Sequence, residues 1–189
     1  GLTVNSVQLA RAYAVIANHG VKQPISLLRL ADKRDTLETH AIDVVSSATA
    51  DKVLRLMQGV VEIGGTGIKA AIKGYSVAGK TGTTHKVGDL GYEGSRYRAS
   101  FAGIVPASSP RLVAVVTIDD PAGDEYFGGD VAAPVFSRVM ASALRLMNIP
   151  PDRADQIGVP QLKTASQQIY EKSKASLKVD DARVKHGSV

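Results

Sequence analysis

Hydrophobic residues recur at helical spacing in three stretches of the chain. Over "SVQLARAYAVIANHG", Val7, Ala10, Ala14 and Ala17 form one stripe, with Tyr13 and Ile16 beside it. Asn18-His19-Gly20 is a stop signal, and Gly20 suits the left-handed position after a helix end. Over "SSATADKVLRLMQGVVEIGG", Ala50, Val53, Leu54, Met57, Val60 and Val61 follow the i, i+3, i+4, i+7 rule. Ser47 or Thr49 is the expected cap, and Gly64-Gly65 the expected end. The last helix carries Ala132, Val135, Phe136, Val139, Met140, Ala143, Leu144 and Met147 on its apolar stripe. Pro134 then belongs in the first turn, where a missing N–H costs little.

Between the second and third helices the pattern changes to strands. "YSVAGKTGTT", "RYRASFAGIVPA" and "RLVAVVTIDDP" are the candidates, the last two ended by Pro106 and Pro121. Pro106 and Pro110 bracket a short connection, which predicts an antiparallel pair. The loop between the first two, "HKVGDLGYEGS", is expected to be mobile because of Gly88, Gly91 and Gly94. "PISLLRL" (Pro24 to Leu30) is a further strand candidate, followed by a polar loop or edge hairpin. After Ile149-Pro150-Pro151 the chain turns polar, so residues 152–189 read as a disordered tail and residues 1–151 as the folded part.

Composition narrows the classes. Hydrophobic residues at 44% and charged residues at 22% fit one globular domain with its own core. No apolar run approaches the roughly 18 residues of a membrane helix. No signal peptide is visible. Gly1 in place of Met leads us to expect a fragment or a processed product. There is no cysteine, which removes disulfides, zinc thiolates and a cysteine nucleophile. The net charge of +5 suits an anionic partner such as a cell-wall polymer or a membrane surface. Nucleic acid is disfavoured: the basic residues are dispersed and aromatics are only 5%.

The candidate chemistry lies in "GYSVAGKTGTT". Gly74-x-x-x-x-Gly79-Lys80-Thr81 satisfies the phosphate-loop pattern, and "VAVVTIDD" offers an apolar run ending in acids. A phosphate loop, however, needs an entering strand and an exit helix whose N-terminus binds phosphate. "GGTGIKAAIK" is a poor strand, and the glycine-rich stretch after Thr81 is a poor helix. Lys80-Thr81-Gly82 also satisfies the K-T-G element of penicillin-binding proteins and β-lactamases. On a strand, Lys80, Gly82 and Thr84 share one face, and Thr81 and Thr83 the other. A peptide carboxylate needs a cation and hydroxyl donors, which Lys80, Thr81 and Thr83 supply. An acyl-transfer transition state needs backbone N–H donors, which an edge strand offers.

The stretches "GLTVNSVQLARAYAVIANHG", "KGYSVAGKTGTTHKV", "YRASFAGIVPASSPRLVAVVTIDDP", "YFGGDVAAPVFSRVM" and "ALRLMNIPPD" occur in this order. As a set they resemble the C-terminal half of the transpeptidase domain of class B penicillin-binding proteins. The resemblance is greatest to the division-specific penicillin-binding protein 3, or FtsI, type, and covers about residues 1–152. It implies an α/β (α+β) fold in which an antiparallel sheet, with the K-T-G strand at its edge, is flanked by helices. It implies that Lys80 supports the electrostatics of the site, and that Thr81 and Thr83 hold a substrate or β-lactam carboxylate. The N–H of Thr83 would be half of the oxyanion hole, and Gly82 would keep the strand open to the ligand. Tyr97, Tyr126 and Phe127 resemble aromatics that wall the site. His85 lies where relatives carry a basic or small residue.

The family's nucleophile lies in S-x-x-K and its second motif is S-x-N. Neither occurs in this chain. The nucleophile is therefore expected upstream of Gly1, and the chain alone is not expected to catalyse acylation. The implied function is peptidoglycan D,D-transpeptidation at the division septum, by a serine acyl-enzyme that β-lactams also form, without metal or cofactor. The implied partners are stem peptides ending in D-Ala-D-Ala, β-lactams, the N-terminal half of the same protein, and divisome proteins including a glycosyltransferase. The implied place is the periplasmic face of the inner membrane, anchored by an N-terminal segment absent here. A β-lactamase, a carboxypeptidase, a penicillin sensor and, remotely, a phosphate-loop protein are the alternatives.

Overall fold

The computed structural model describes residues 3–27, 41–88 and 91–157. The chain divides into two units, Gly1–Arg153 and Ala154–Val189. The first runs past the boundary expected at residue 151, because its end is bonded back into it. Asp152 accepts from the Ser76 N–H at 2.7 Å, and the Arg153 N–H donates to the Gly74 carbonyl at 3.0 Å. Of the second unit only the 3-10 turn Ala154–Ile157 is described, so the tail expected beyond it lies outside the described residues.

Helix α1 spans Ser6–Ala17 and starts on a capping box, in which Asn5 and Gln8 bond each other's backbone N–H. His19 (φ 52°), not Gly20, takes the left-handed place after its end. Gly20 follows with φ 90°, and its N–H donates to the Val15 carbonyl at 2.8 Å. Glycine is required there: a Cβ would lie 2.1 Å from the Val45 carbonyl oxygen. The inward face of α1 is Tyr13, Ile16 and Ala17, whereas Val7 and Ala14 of the expected stripe are exposed.

Strands β1 (Val21–Lys22) and β2 (Ile42–Asp43) form a small antiparallel pair. No strand forms over residues 24–27, and the rest of the expected strand, 28–30, lies outside the described residues. Helix α2, Ser47–Gln58, is capped by Ser46 rather than Ser47 or Thr49. Its side chain accepts from the Thr49 N–H at 3.2 Å. The helix closes at Gly59, before Val60 and Val61, and buries Ala50 and Leu54.

The central sheet has the order β3–β4–β5, all antiparallel: Ala78–Gly88, Gly91–Val105 and Leu112–Asp119. β3 and β4 extend into the segment expected as a loop, with a bulge between His85 and Val87. The pairs Thr81↔Phe101↔Val116 and Gly79↔Gly103↔Ala114 lie toward α4 (Ala133–Leu146). The pairs Ala78↔Ile104↔Val113 face the other way, toward α2 and α1. The α4 side holds the larger core, where Phe101 and Phe136 pack tilted with centroids 4.9 Å apart. α4 buries Ala133, Phe136, Met140 and Leu144, and Pro134 sits in its first turn as expected. Val139 and Met147, assigned to its apolar stripe from spacing, are half-exposed. A one-turn helix, α3 (Gly128–Val131), precedes it. Among the described residues no helix is long and apolar enough to cross a membrane.

Candidate active site

The site follows from the alternation of β3. Thr81, Thr83 and His85 stand on the α4 side, and Lys80, Gly82 and Thr84 on the other. Among the described residues β3 pairs with β4 alone, so no described strand covers its outer edge. That edge lets the exposed Lys80 side chain curl back over the strand. Its Nζ lies 3.0 Å from the Thr81 carbonyl oxygen and 3.5 Å from Thr81 Oγ1. A cation and a hydroxyl that start on opposite faces thereby meet.

The loops around β3 approach closely because the contact residues are glycines. A Cβ on Gly128 would fall 2.5 Å from the Gly82 carbonyl oxygen, and one on Gly79 would fall 2.5 Å from the Phe101 ring. A Cβ on Gly82 would lie 2.6 Å from Ser100 Oγ. The Thr83 hydroxyl accepts from the Gly128 N–H at 3.0 Å, which fixes the start of α3 beside the strand. Thr66, in the loop before the 3-10 turn Ile68–Ala70, places its Oγ1 2.9 Å from Thr81 Oγ1. Lys69 ties the same turn to α3 through Asp130 at 2.8 Å, with Glu125 at 3.8 Å. The hydrogen bond to Asp130 holds its ammonium above the usual lysine value.

The aromatics form a continuous file on the same side. His85 lies 4.5 Å from Tyr97 between ring centroids, Tyr97 stacks on Tyr126 at 4.1 Å, and Tyr126 meets Phe127 at 4.4 Å. Partial burial and the neighbouring Tyr126 push the Tyr97 phenol above its ordinary value. Phe127 is 54% exposed, an apolar surface at the rim of the file. All eight residues singled out from the sequence, Lys80 to Thr83, His85, Tyr97, Tyr126 and Phe127, thus lie along one stretch of β3 and its borders. Thr66 was missed. Its only signal was a threonine within the glycine-rich "GGTGIK".

The same geometry disposes of the phosphate-loop alternative. Gly79-Lys80-Thr81 lies within β3, and the chain after Thr81 continues as strand to Gly88 instead of starting a helix. The segment that follows Thr81 therefore offers no helix N-terminus to collect phosphate.

The chain matches the family described as "Penicillin binding protein transpeptidase domain" over residues 1–141. It belongs to that family. Over 152 residues it is 43% identical to the peptidoglycan D,D-transpeptidase FtsI of Escherichia coli K12, covering 80% of this chain and 25% of that protein. It is also 43% identical over 151 residues to a probable peptidoglycan D,D-transpeptidase, PbpC, of Pseudomonas aeruginosa, covering 80% and 26%. The apo transpeptidase domain of Burkholderia pseudomallei penicillin-binding protein 3 matches with a TM-score of 0.72 at 39% identity, covering 80% of this chain and 45% of that one. The chain spans about a quarter of the length of these curated relatives. The mixed fold of helices on an antiparallel sheet is that of the transpeptidase domain.

Proposed function

We propose that this chain is the K-T-G half of a peptidoglycan D,D-transpeptidase, completed by an upstream half that carries S-x-x-K and S-x-N. The observation that carries this is the convergence at β3: the Lys80 ammonium beside the Thr81 hydroxyl, with Thr83 anchoring the adjacent loop. In this role Lys80 supplies positive charge, and Thr81 and Thr83 donate to the C-terminal carboxylate of the substrate. The Thr83 N–H donates to the oxyanion, and Gly82 leaves the strand open to the acyl group. Tyr97, Tyr126 and Phe127 wall the site, and His85 borders it.

The upstream serine attacks the carbonyl of the penultimate D-Ala of a stem peptide. Terminal D-Ala leaves with the proton, and an ester forms. An amine of a neighbouring stem attacks that ester, forms the cross-link and regenerates the serine. β-Lactams acylate the same serine. The family resemblance supports a periplasmic site anchored to the inner membrane by an upstream segment, with work at the septum among divisome proteins including a glycosyltransferase.

Intact-mass measurement before and after incubation with a penicillin tests this. The chain by itself should gain no adduct. The protein that joins it to its S-x-x-K half should gain one β-lactam mass, on the upstream half. An adduct on a serine of this chain, or none on the joined protein, overturns the proposal.

A further inference from the structure

Thr66 stands outside every motif above and outside the roles just proposed, yet it is built into the site. The N–H of Gly67, its neighbour, donates to the Val60 carbonyl at 2.8 Å. A Cβ on Gly67 would lie 2.8 Å from the Phe101 ring. On the other side a Cβ on Gly129 would come within 2.1 Å of the Thr66 carbonyl oxygen. The backbone carrying Thr66 is thus clamped between a core ring and the start of α3. Its side chain emerges at the site, 2.9 Å from Thr81 Oγ1.

Two hydroxyls in contact share one hydrogen bond, and either oxygen is able to donate. If Thr81 donates to Thr66, its only proton is used inside the protein. If Thr66 donates, the Thr81 proton points elsewhere. A bound carboxylate decides between them: it has no proton to give, so Thr81 must donate to it. Thr66 is then the donor in the bond to Thr81, while the Lys80 ammonium, 3.5 Å from Thr81 Oγ1, takes a lone pair of that oxygen.

We infer that Thr66 is a positioning residue: it donates to Thr81 Oγ1 and so turns the Thr81 proton outward, toward the carboxylate of the bound peptide or β-lactam. This rests on the proposed function, since it needs Thr81 to meet a carboxylate.

The test uses the protein that joins this chain to its S-x-x-K half, with two probes: a penicillin and the methyl ester of its ring carboxylate. Thr66→Val keeps the β-branched shape and removes the donor. It should lower the second-order acylation constant for the free acid about tenfold, the scale of one hydrogen bond to a charged group. The loss should fall on the binding constant rather than on the limiting acylation rate. Thr66→Ser should restore most of it, and the ester should react alike with all three proteins. In a Thr81→Val background, Thr66→Val should add nothing.

An unaltered Thr66→Val alongside an impaired Thr81→Val overturns the inference and leaves the proposed function standing. So does an equal fall with acid and ester, which marks a contact that only holds the loop. A Thr81→Val protein acylated as fast as the parent, or a parent that gains no adduct, overturns the proposed function and the inference with it.

Discussion

A single added methyl group is enough to disturb β3. Gly79 lies over Phe101, and a Cβ there would meet the ring at 2.5 Å and the Ala102 carbonyl oxygen at 2.8 Å. Backbone cannot yield cheaply, and the ring is already fully buried against Phe136. Gly79→Ala should therefore cost about 1–3 kcal/mol, the usual range for overpacking. A urea midpoint lowered with an unchanged slope is the expected result, and an unshifted midpoint would mean the ring swings aside without strain. Thr83 acts by another route. Its hydroxyl occupies the Gly128 N–H, so the residue links strand and loop before any ligand arrives. The spacing of K-T-G-T places Thr83 on its face, but the glycine that receives it lies 45 residues away.

At the scale of elements, the segment after α4 is fastened to the turn before β3. The Asp152 carboxylate accepts from the Ser76 N–H at 2.7 Å, from the Ser76 hydroxyl, and from Ser108 Oγ at 2.5 Å. Ser76 Oγ in turn receives the N–H groups of Ala107 and Ser108, at 2.9 and 3.0 Å. The Tyr75 hydroxyl donates to the Ile149 carbonyl at 2.7 Å. Burial tends to raise the Asp152 carboxyl, but the hydrogen bonds from Ser108 and Ser76 outweigh it and leave it below its ordinary value. A carboxyl lowered on folding stabilises the fold above its unfolded value, about 3.9. That contribution is lost as the pH falls through the folded value. Asp152→Asn should therefore lower stability by about 1–2 kcal/mol at pH 7, a modest figure because the carboxylate is partly solvated. The gap between the two proteins in urea should close as the pH drops below 4. A gap of constant size through the acid range would show that the charge of Asp152 plays no part in the clasp.

Across the whole molecule the two faces of the sheet are unequally covered. The α4 side buries large side chains: Phe101, Val105, Phe136 and Leu144 are all below 2% exposed. On the opposite side the buried set is Leu54, Ala78, Ile104 and Ala107, with Tyr13, Ile16 and Ala17 only partly covered. α1 has no buried residue of its own, and Val4 and Val7 at its start are more than half exposed. A layer with so little burial adds little cooperativity, since stabilisation scales with apolar area removed from water. The chain alone should melt over a broad range, and joined to its S-x-x-K half it should melt sharply. Calorimetry on both forms decides this, and a sharp two-state melt of the isolated chain would refute it.

Local chemistry and periodicity made much of this molecule legible. The antiparallel pairing of β4 with β5 was readable from proline punctuation, because proline cannot donate to a ladder. The division of Lys80 and Thr81 between two faces was readable from the period of a strand. The absence of S-x-x-K was readable from a simple scan. Where the capping signals misled, a neighbouring residue held the place: Ser46 captured the α2 cap, and His19 took the left-handed position expected for Gly20. What the tertiary structure alone decided are the contacts between segments distant in sequence. Thr66 meets Thr81, Asp152 fastens Ser76, and Tyr126 stacks on Tyr97. Spacing tells which way a side chain points from its own element. Which loop arrives to meet it depends on how the layers pack, and that is settled only when the glycines at 67, 79, 128 and 129 let the backbones close.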